Sequence, residues 1–223
     1  ASPHWRAANV LPWPGVPASG SYKLYYAAGG GLGSGTAGVT GADGSMNLNL
    51  APLPESVRAK FPHLAGATGL ALSNADAAKV AGLASAQFAI AQFDGAGKLV
   101  QVTSLQTAGM LDDVFAARAA NARLGLSFNG AGVPTFRLWA PTAKSVALDI
   151  YPDANAPAAS SVPMRFDAAS GVWSHTAPNA NWTNRAYYTY TVQVLSRWAN
   201  NTVVTNTVTD PYSVSLNANS ARS

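Results

Sequence analysis

The chain has 223 residues, a net charge of +4, 48% hydrophobic residues, 11% charged residues and no cysteine. This length suits one large domain or two small ones with a buried core, and the apolar content excludes a disordered chain. The absence of cysteine excludes disulfides, zinc–thiolate sites and thiol nucleophiles. The 14 Lys and Arg residues are scattered singly, so we expect no nucleic-acid partner. No uncharged apolar run reaches the length of a bilayer span, so we expect no membrane partner.

The first part of the chain predicts two strands joined by a glycine-rich loop. Residues 21–28 and 46–50 alternate apolar with polar side chains, as strands do. Half of residues 29–44 are glycine, a composition that predicts a connector without regular structure. The G-x-G-x-x-G pattern at 33–38 does not indicate a dinucleotide site, because Gly41 and Gly44 prevent a helix of useful length after it.

A helical insertion follows these strands. A helix is predicted to start at Pro54, since proline suits the first turn, and to end at Pro62. Ser73 and Asp76 have the spacing of a capping box and predict a helix over 77–84.

The rest of the first half predicts a hairpin and a further helix. The hairpin consists of residues 87–93 and 98–105, with the turn sequence Asp-Gly-Ala-Gly between them. Residues 110–121 place apolar side chains at helical spacing, which predicts another helix.

Beyond about residue 122 the chain changes to short β-prone runs separated by turn residues, the pattern of a β-sandwich. These seven predicted strands are residues 123–128, 135–140, 145–151, 162–167, 172–176, 186–195 and 202–209. Val146, Leu148 and Ile150 should point inward, as should either Tyr188, Tyr190, Val192 and Val194 or their neighbours. We therefore predict a mainly β chain with two immunoglobulin-like β-sandwich domains. Residues 1–122 form the first, with the short helical insertion, and residues 123–223 form the second.

Catalytic and metal-binding constellations are hard to find in this sequence. The single glutamate, Glu55, lies at a predicted helix start, where capping explains it. Asp112 and Asp113 are adjacent, and helix neighbours point about 100° apart, so they form no dyad. The three histidines, at positions 4, 63 and 175, have no metal-ligand or triad spacing. We predict no catalytic residue, no metal and no cofactor, and the hypothesis of a small independent enzyme has little support.

Aromatic side chains in the second half indicate sugar binding as the alternative to a purely structural role. An indole ring can cover the apolar C–H face of a pyranose. Trp139 and Trp173 occupy predicted strands, which favours the core for both. Trp182 and Trp198 lie among polar loop residues such as Asn200, so we select these three as candidate carbohydrate-binding residues.

Five motifs occur in the order typical of one family. They are Phe136–Ala143, Val146–Leu148, Gly171–Trp173, Tyr187–Tyr190 and Thr209–Ser213. This series resembles a family-48 carbohydrate-binding module, the β-sandwich found ahead of the catalytic barrel in starch debranching and branching enzymes. The segment 210–220 is similar to the junction of type I pullulanases and plant-type limit dextrinases.

The first half also looks like part of those enzymes. Trp5-Arg6, the strand at 22–26, Leu53-Pro54 and the stretch 61–64 are similar to their extra N-terminal β-domain. The resemblance implies a secreted or periplasmic α-1,6-glucan hydrolase, with the signal peptide already absent from this sequence. The family carries its aspartate nucleophile and glutamate acid on a (β/α)8 barrel, and none of the barrel motifs matches any stretch here.

The resemblance thus implies a non-catalytic N-terminal region of a glycoside hydrolase, whose partners are an α-glucan and its own catalytic barrel. Trp198 is the nearest equivalent of the family's glucan-stacking tryptophan. The other family motif residues are expected to be structural: Trp139, Pro141, Trp173, Tyr188, Asp210 and Pro211. The alternative is a protein-interaction β-sandwich that only docks on its own catalytic domain, without sugar binding.

Overall fold

The computed structural model describes residues 10–13, 19–64, 66–105, 111, 115–183, 186–196 and 201–223, without the side chains of residues 81, 117, 182 and 183. The chain divides into two compact units. The first comprises Ala1–Ala117 with Arg197–Thr202, and the second comprises Arg118–Ser196 with Val203–Ser223. The predicted mainly β class with few helices is confirmed.

The first unit contains eight strands among its described residues. They are β1 (Val10–Trp13), β2 (Ser21–Ala27), β3 (Gly33–Gly35), β4 (Gly38–Thr40), β5 (Gly44–Ala51), β6 (Thr68–Ala71), β7 (Gln87–Phe93) and β8 (Leu99–Ser104). Six of them form one continuous antiparallel sheet in the order β1-β6-β5-β2-β7-β8. Tyr22 and Leu24 alternate with less buried neighbours on β2 and are almost fully buried, as the pattern predicted.

The glycine-rich segment corrects one prediction. We expected no regular structure there, but β3 and β4 pair as a small antiparallel hairpin. The segment is tied to the sheet, because the Leu32 N–H donates to Gln87 Oε1 (2.9 Å) and the Ala28 N–H donates to Asp43 Oδ2 (2.6 Å). Gly38, at the turn of the hairpin, has φ +123°, a conformation that needs glycine. Gly38 therefore provides the backbone conformation that this turn requires.

The predicted helical insertion is present as two short helices. Helix α1 (Glu55–Lys60) is followed by a 3₁₀ turn (Pro62–Leu64), and α2 is Asn74–Ala81. The Ser73 hydroxyl accepts the Asp76 N–H at 3.1 Å, as the predicted cap requires, although α2 starts three residues before the predicted 77–84.

The helix predicted over 110–121 lies partly outside the described residues. Within it the structure describes a short helix, Ala117–Ala119. Among the helices of the described ranges, none is long and apolar enough to cross a membrane.

The second unit is a sandwich of two four-stranded antiparallel sheets. Its strands are β9 (Gly125–Phe128), β10 (Pro134–Trp139), β11 (Ala143–Tyr151), β12 (Ser160–Pro163), β13 (Arg165–Asp167), β14 (Val172–Thr176), β15 (Tyr187–Ser196) and β16 (Thr202–Val208), with a 3₁₀ turn at Ala180–Thr183. One sheet has the order β13-β14-β10-β9 and the other β12-β11-β15-β16.

The strand predicted over 162–167 is in fact two strands that belong to different sheets. The strand β12 pairs with β11, whereas β13 pairs with β14. The chain crosses between the sheets at Met164, which is buried and donates its N–H to the Val146 carbonyl at 2.8 Å. Apolar side chains on both sides of this crossing concealed it in the sequence.

The core of the sandwich contains the residues that the alternating sequence pattern predicted to point inward. Val146, Leu148 and Ile150 of β11 are all buried, as predicted. Tyr188 and Tyr190 of β15 belong to the same core cluster. The two sheets meet through aromatic contacts, since the Phe136 ring of β10 stands edge-on to the Tyr188 ring at 4.9 Å between centroids.

Candidate functional site

Two of the motif tryptophans bind main-chain carbonyls of the sandwich. The indole N–H of Trp139 donates to the Ser170 carbonyl at 3.0 Å, and that of Trp173 donates to the Ala140 carbonyl at 2.9 Å. Trp173 is buried and Trp139 is half-buried, while Pro141 is buried between β10 and β11. Both polar ends of the indole rings are thus engaged inside this unit.

Asp210, just after β16, is the centre of a buried polar cluster. Its Oδ2 accepts the Tyr188 hydroxyl at 2.7 Å and the Tyr190 hydroxyl at 3.5 Å, and only 3% of the residue is exposed. Its Oδ1 accepts the Tyr212 N–H at 2.9 Å, and its own N–H donates to Ser223 Oγ at 2.9 Å. The motif Asp210-Pro211 therefore fastens the end of the chain to β15, and Pro211 itself is exposed.

Both tyrosines of this cluster are held in the neutral form. Burial raises the pKa of Tyr188 well above its ordinary value, and the hydrogen bond and charge of Asp210 raise it further. Burial likewise raises the pKa of Tyr190, with the Asp210 carboxylate as the next cause. The two phenols consequently act as hydrogen-bond donors at any physiological pH.

The last seven residues form a closed loop against the sandwich. Asn217 is buried, and its Oδ1 accepts the N–H groups of Ala221 (2.8 Å) and Arg222 (3.0 Å). The Arg222 guanidinium lies 3.8 Å from the Tyr151 ring centroid and donates to the Asp153 carbonyl at 2.8 Å. These contacts bring Ser223 back to the edge of β15.

A groove of about 490 Å³ opens beside the Asp210 cluster, between β9, the start of β15 and the segment after Asp210. Its lining residues are Leu126, Phe128, Phe136, Ile150, Ala186, Tyr187, Tyr188, Tyr212, Ser213, Val214, Ser215 and Ser223. None of these side chains carries a charge. Phe128 is 55% exposed, Tyr212 48% and Val214 104%, so the rim of the groove is apolar and open to solvent.

Gly125 holds one wall of the groove in place. It has φ +79°, and a Cβ added there would lie 2.8 Å from the Tyr212 Cβ. The segment that follows Asp210 thus packs directly on the backbone of β9. Leu126 and Phe128 are exposed next to it, whereas Gly125 and Ser127 are buried. Sequence reasoning missed this groove, because alternating apolar residues ordinarily mark the buried face of a strand.

The predicted carbohydrate-binding residues fall largely outside what the structure describes. Trp198 and Asn200 lie outside the described residues. Trp182 lies in the 3₁₀ turn Ala180–Thr183, and its side chain is not described. In the described ranges, no three or more His, Asp or Glu side chains are grouped as a metal ion would require.

A model of a known family matches the first half of the chain. It is the pullulanase N2 domain, and it matches residues 1–113, just over half of the 223 residues. The chain belongs to the pullulanase N2 domain family. The second half of this pullulanase N2 chain matches carbohydrate-binding module 48 (isoamylase N-terminal domain) over residues 123–213. The predicted resemblance is confirmed for both halves.

Known pullulanases are similar along most or nearly all of the chain. The pullulanase of Klebsiella pneumoniae is 34% identical over 221 residues, which make up 99% of this chain and 19% of that protein. The chloroplastic pullulanase 1 of Arabidopsis thaliana is 33% identical over 196 residues, 86% of this chain and 19% of that protein. The chain therefore spans about a fifth of these relatives.

Solved pullulanase structures have the same fold. The apo pullulanase of Klebsiella pneumoniae gives a TM-score of 0.86 at 33% identity, over 100% of this chain and 23% of that chain. The maltotriose complex of PulA from the same organism gives a TM-score of 0.87 at 34% identity, with the same two coverages.

Proposed function

We propose that this chain is the non-catalytic N-terminal region of a pullulanase-like enzyme that cleaves α-1,6-glucosidic bonds, and that its second unit docks on the catalytic barrel of that enzyme. The observation that carries the proposal is the groove with its uncharged lining side chains and exposed apolar rim. We also propose that the two domains meet between residues 122 and 123. The parent protein is secreted or periplasmic in this proposal.

The rim of the groove is suited to contact with protein. Phe128, Tyr212 and Val214 are large apolar or aromatic side chains that lie close together around one groove and remain exposed. Contiguous apolar surface of this kind marks interaction sites in soluble proteins. Burial of Phe128 or Val214 against a partner would contribute about 1.5–3 kcal/mol each.

The lengths of the relatives indicate that the docking partner belongs to the same polypeptide. This chain spans 19% of the two pullulanases to which it was compared, so a protein of their length has about four times as much polypeptide elsewhere. A catalytic domain within the same polypeptide would be held at high effective concentration, which favours docking even through a small interface.

A second candidate function is α-glucan binding by the second unit. The match to carbohydrate-binding module 48 over residues 123–213 favours it. In this hypothesis the rings of Trp198 and Trp182 stack on glucose units and Asn200 bonds their hydroxyls.

Titration of the chain with maltohexaose, followed by tryptophan fluorescence, tests glucan binding. We expect saturable quenching that Trp198→Ala removes and that Tyr212→Ala, a change in the groove, leaves intact. A flat titration would contradict glucan binding and would leave the docking proposal standing.

A pair of lysine substitutions tests docking. Phe128 on β9 and Val100 on β8 are equally exposed, at 55% and 56%, but only Phe128 lines the groove. In the parent enzyme we expect Phe128→Lys to lower the temperature at which pullulan hydrolysis is lost, because it buries a charge in the interface. Val100→Lys is the matched control and should leave that temperature unchanged.

Two results would contradict the proposal. One is equal heat inactivation of the enzymes carrying Phe128→Lys and Val100→Lys, since the groove would then not be an interface. The other is hydrolysis of pullulan by the purified 223-residue chain, since the chain would then carry its own catalytic groups.

A further inference from the structure

Ser223 extends the sheet of the second unit by one residue. Its N–H donates to the Tyr188 carbonyl at 3.0 Å, and its carbonyl accepts the Tyr188 N–H at 2.9 Å. This reciprocal pair of bonds is that of an antiparallel ladder. On its other side Tyr188 lies opposite Ile150 of β11, so Ser223 occupies the edge of β15 that β16 has left after Val208.

The next position on that edge is Ala186. Main-chain N–H and C=O groups alternate in direction along a strand, so those of Ala186 point to the same edge as those of Tyr188. In the part of the chain that the structure describes, no residue bonds them. The Ala186 side chain packs on the sandwich core, which fixes the orientation of these groups, and the residue lines the groove.

The direction of the chain at Ser223 leads into the groove. An antiparallel partner of β15 that passes Tyr188 runs next past Tyr187 and then past Ala186, both of which line the groove. Unpaired edge groups of this kind are a template for an added strand.

We propose that the groove is a strand-addition site for the polypeptide that follows the position of Ser223 in full-length pullulanase-like proteins. The second residue after Ser223 pairs with the main chain of Ala186 and continues the Ser223–Tyr188 ladder. This inference rests on the proposed function, since it needs a longer parent protein. It adds a definite mode of attachment, in which main-chain hydrogen bonds give affinity and the groove selects side chains.

The register also predicts the side chain that enters the groove. Residues directly opposite in an antiparallel pair point to the same face of the sheet. The second added residue therefore points to the same side as Ala186, toward the wall formed by Leu126 and Phe128 on β9. Because no side chain of the lining carries a charge, we expect this residue to be apolar. The first added residue should lie on the other face of the sheet, together with Tyr187.

A chain lengthened by its next native residues, about six as in an ordinary strand, tests the inference. Hydrogen exchange of the Ala186 amide is compared between this chain and the 223-residue chain. We expect the amide to exchange freely in the 223-residue chain and about tenfold more slowly in the lengthened one, the factor that one net hydrogen bond supplies.

The substitution Ala186→Pro removes the N–H and gives a second readout. It removes no hydrogen bond from the 223-residue chain, because no described residue accepts that N–H. In the lengthened chain it should abolish the rise in midpoint that the added residues confer.

Three results would overturn the inference. One is equal exchange of the Ala186 amide in both chains. The second is protection in the 223-residue chain that grows with its concentration, which would make a second copy the occupant. The third is protection by maltohexaose, which would make the groove a glucan site. Failure of the proposed docking on the barrel would instead appear as equal heat inactivation of the enzymes carrying Phe128→Lys and Val100→Lys. The exchange of the Ala186 amide is compared between two chains without the barrel, so it does not depend on that result.

Discussion

Replacement of Gly125 by alanine tests how the groove is held open. Gly125 starts β9 with φ +79°, and an added Cβ would meet the Tyr212 Cβ at 2.8 Å. A Cβ next to the backbone of Tyr212 cannot be relieved by rotation of a flexible side chain. The substitution must therefore shift either β9 or the segment that follows Asp210.

The expected cost combines two contributions. The left-handed backbone conformation costs roughly 1–2 kcal/mol of stability for a residue with a Cβ. Forcing an additional atom into an occupied contact costs about 1–3 kcal/mol. We expect Gly125→Ala to lower the free energy of unfolding of the second unit by about 2–5 kcal/mol.

Two neighbouring glycines separate these contributions. Gly132 has φ +76° but only an ordinary contact, with Ala180 Cβ at 3.6 Å, so Gly132→Ala carries the conformational cost alone. Gly130 has no atom within 4 Å of an added Cβ and is not among the residues with positive φ, so Gly130→Ala should carry neither cost. The predicted order of destabilisation is Gly125→Ala, then Gly132→Ala, then Gly130→Ala.

Urea unfolding followed by circular dichroism measures this order, with a separate transition for each unit. All three substitutions should affect one transition, because β9 and the turn after it belong to the second unit. The reasoning is refuted if Gly125→Ala and Gly132→Ala cost the same, since the contact with Tyr212 would then have no energetic weight.

Two further substitutions follow from the described contacts. Tyr188→Phe removes the hydroxyl bonded to Asp210 and should cost about 1–3 kcal/mol at neutral pH. The pKa of Tyr188 is raised in the folded chain, so its contribution to the free energy of unfolding is complete below the ordinary pKa of 10.0 and is lost as the pH rises above that value. The urea midpoint of Tyr188→Phe should therefore fall less steeply with alkaline pH than that of the unsubstituted chain. Parallel curves of midpoint against pH would contradict this. Ser73→Ala removes the cap of α2 and should lower the free energy of unfolding of the first unit by about 1 kcal/mol, with Ser45→Ala on β5 as a control; equal urea midpoints of the two variants would count against the cap.

The parts of the fold that the sequence predicted are those with local signals. Strict alternation in residues 145–151 placed Val146, Leu148 and Ile150 in the core, because one face of β11 is buried and the pattern has a period of two. The cap at Ser73 was predictable because its hydrogen-bond partner, Asp76, is three residues away.

The parts that were missed depend on contacts between distant residues. The strand β6 (Thr68–Ala71) is short and contains glycine, so it has no alternation to read, and it exists because β1 and β5 pair with its two edges. The pairing of Ser223 with Tyr188 joins residues 35 positions apart in the sequence. No local pattern marks such a pairing.

The candidate site shows the same division. Tyr188 and Asp210 were selected through a family motif, and the structure joins them by a hydrogen bond of 2.7 Å. The groove next to them was not predicted, because Leu126 and Phe128 have the pattern of core residues and their exposure depends on how the sandwich closes. The roles predicted for Trp198, Trp182 and Asn200 stay predictions.

Thiol labelling at Val214 tests the central claim, that the groove face is covered in the parent enzyme. The sequence has no cysteine, so Val214→Cys introduces a single thiol on the rim, and Val100→Cys introduces one on an exposed strand of the first unit. Labelling of each site, followed by peptide mass, is compared between the 223-residue chain and the parent enzyme. We predict that Val214→Cys reacts quickly in the chain and slowly in the enzyme, whereas Val100→Cys reacts quickly in both. Equally fast labelling of Val214→Cys in both proteins would contradict the account.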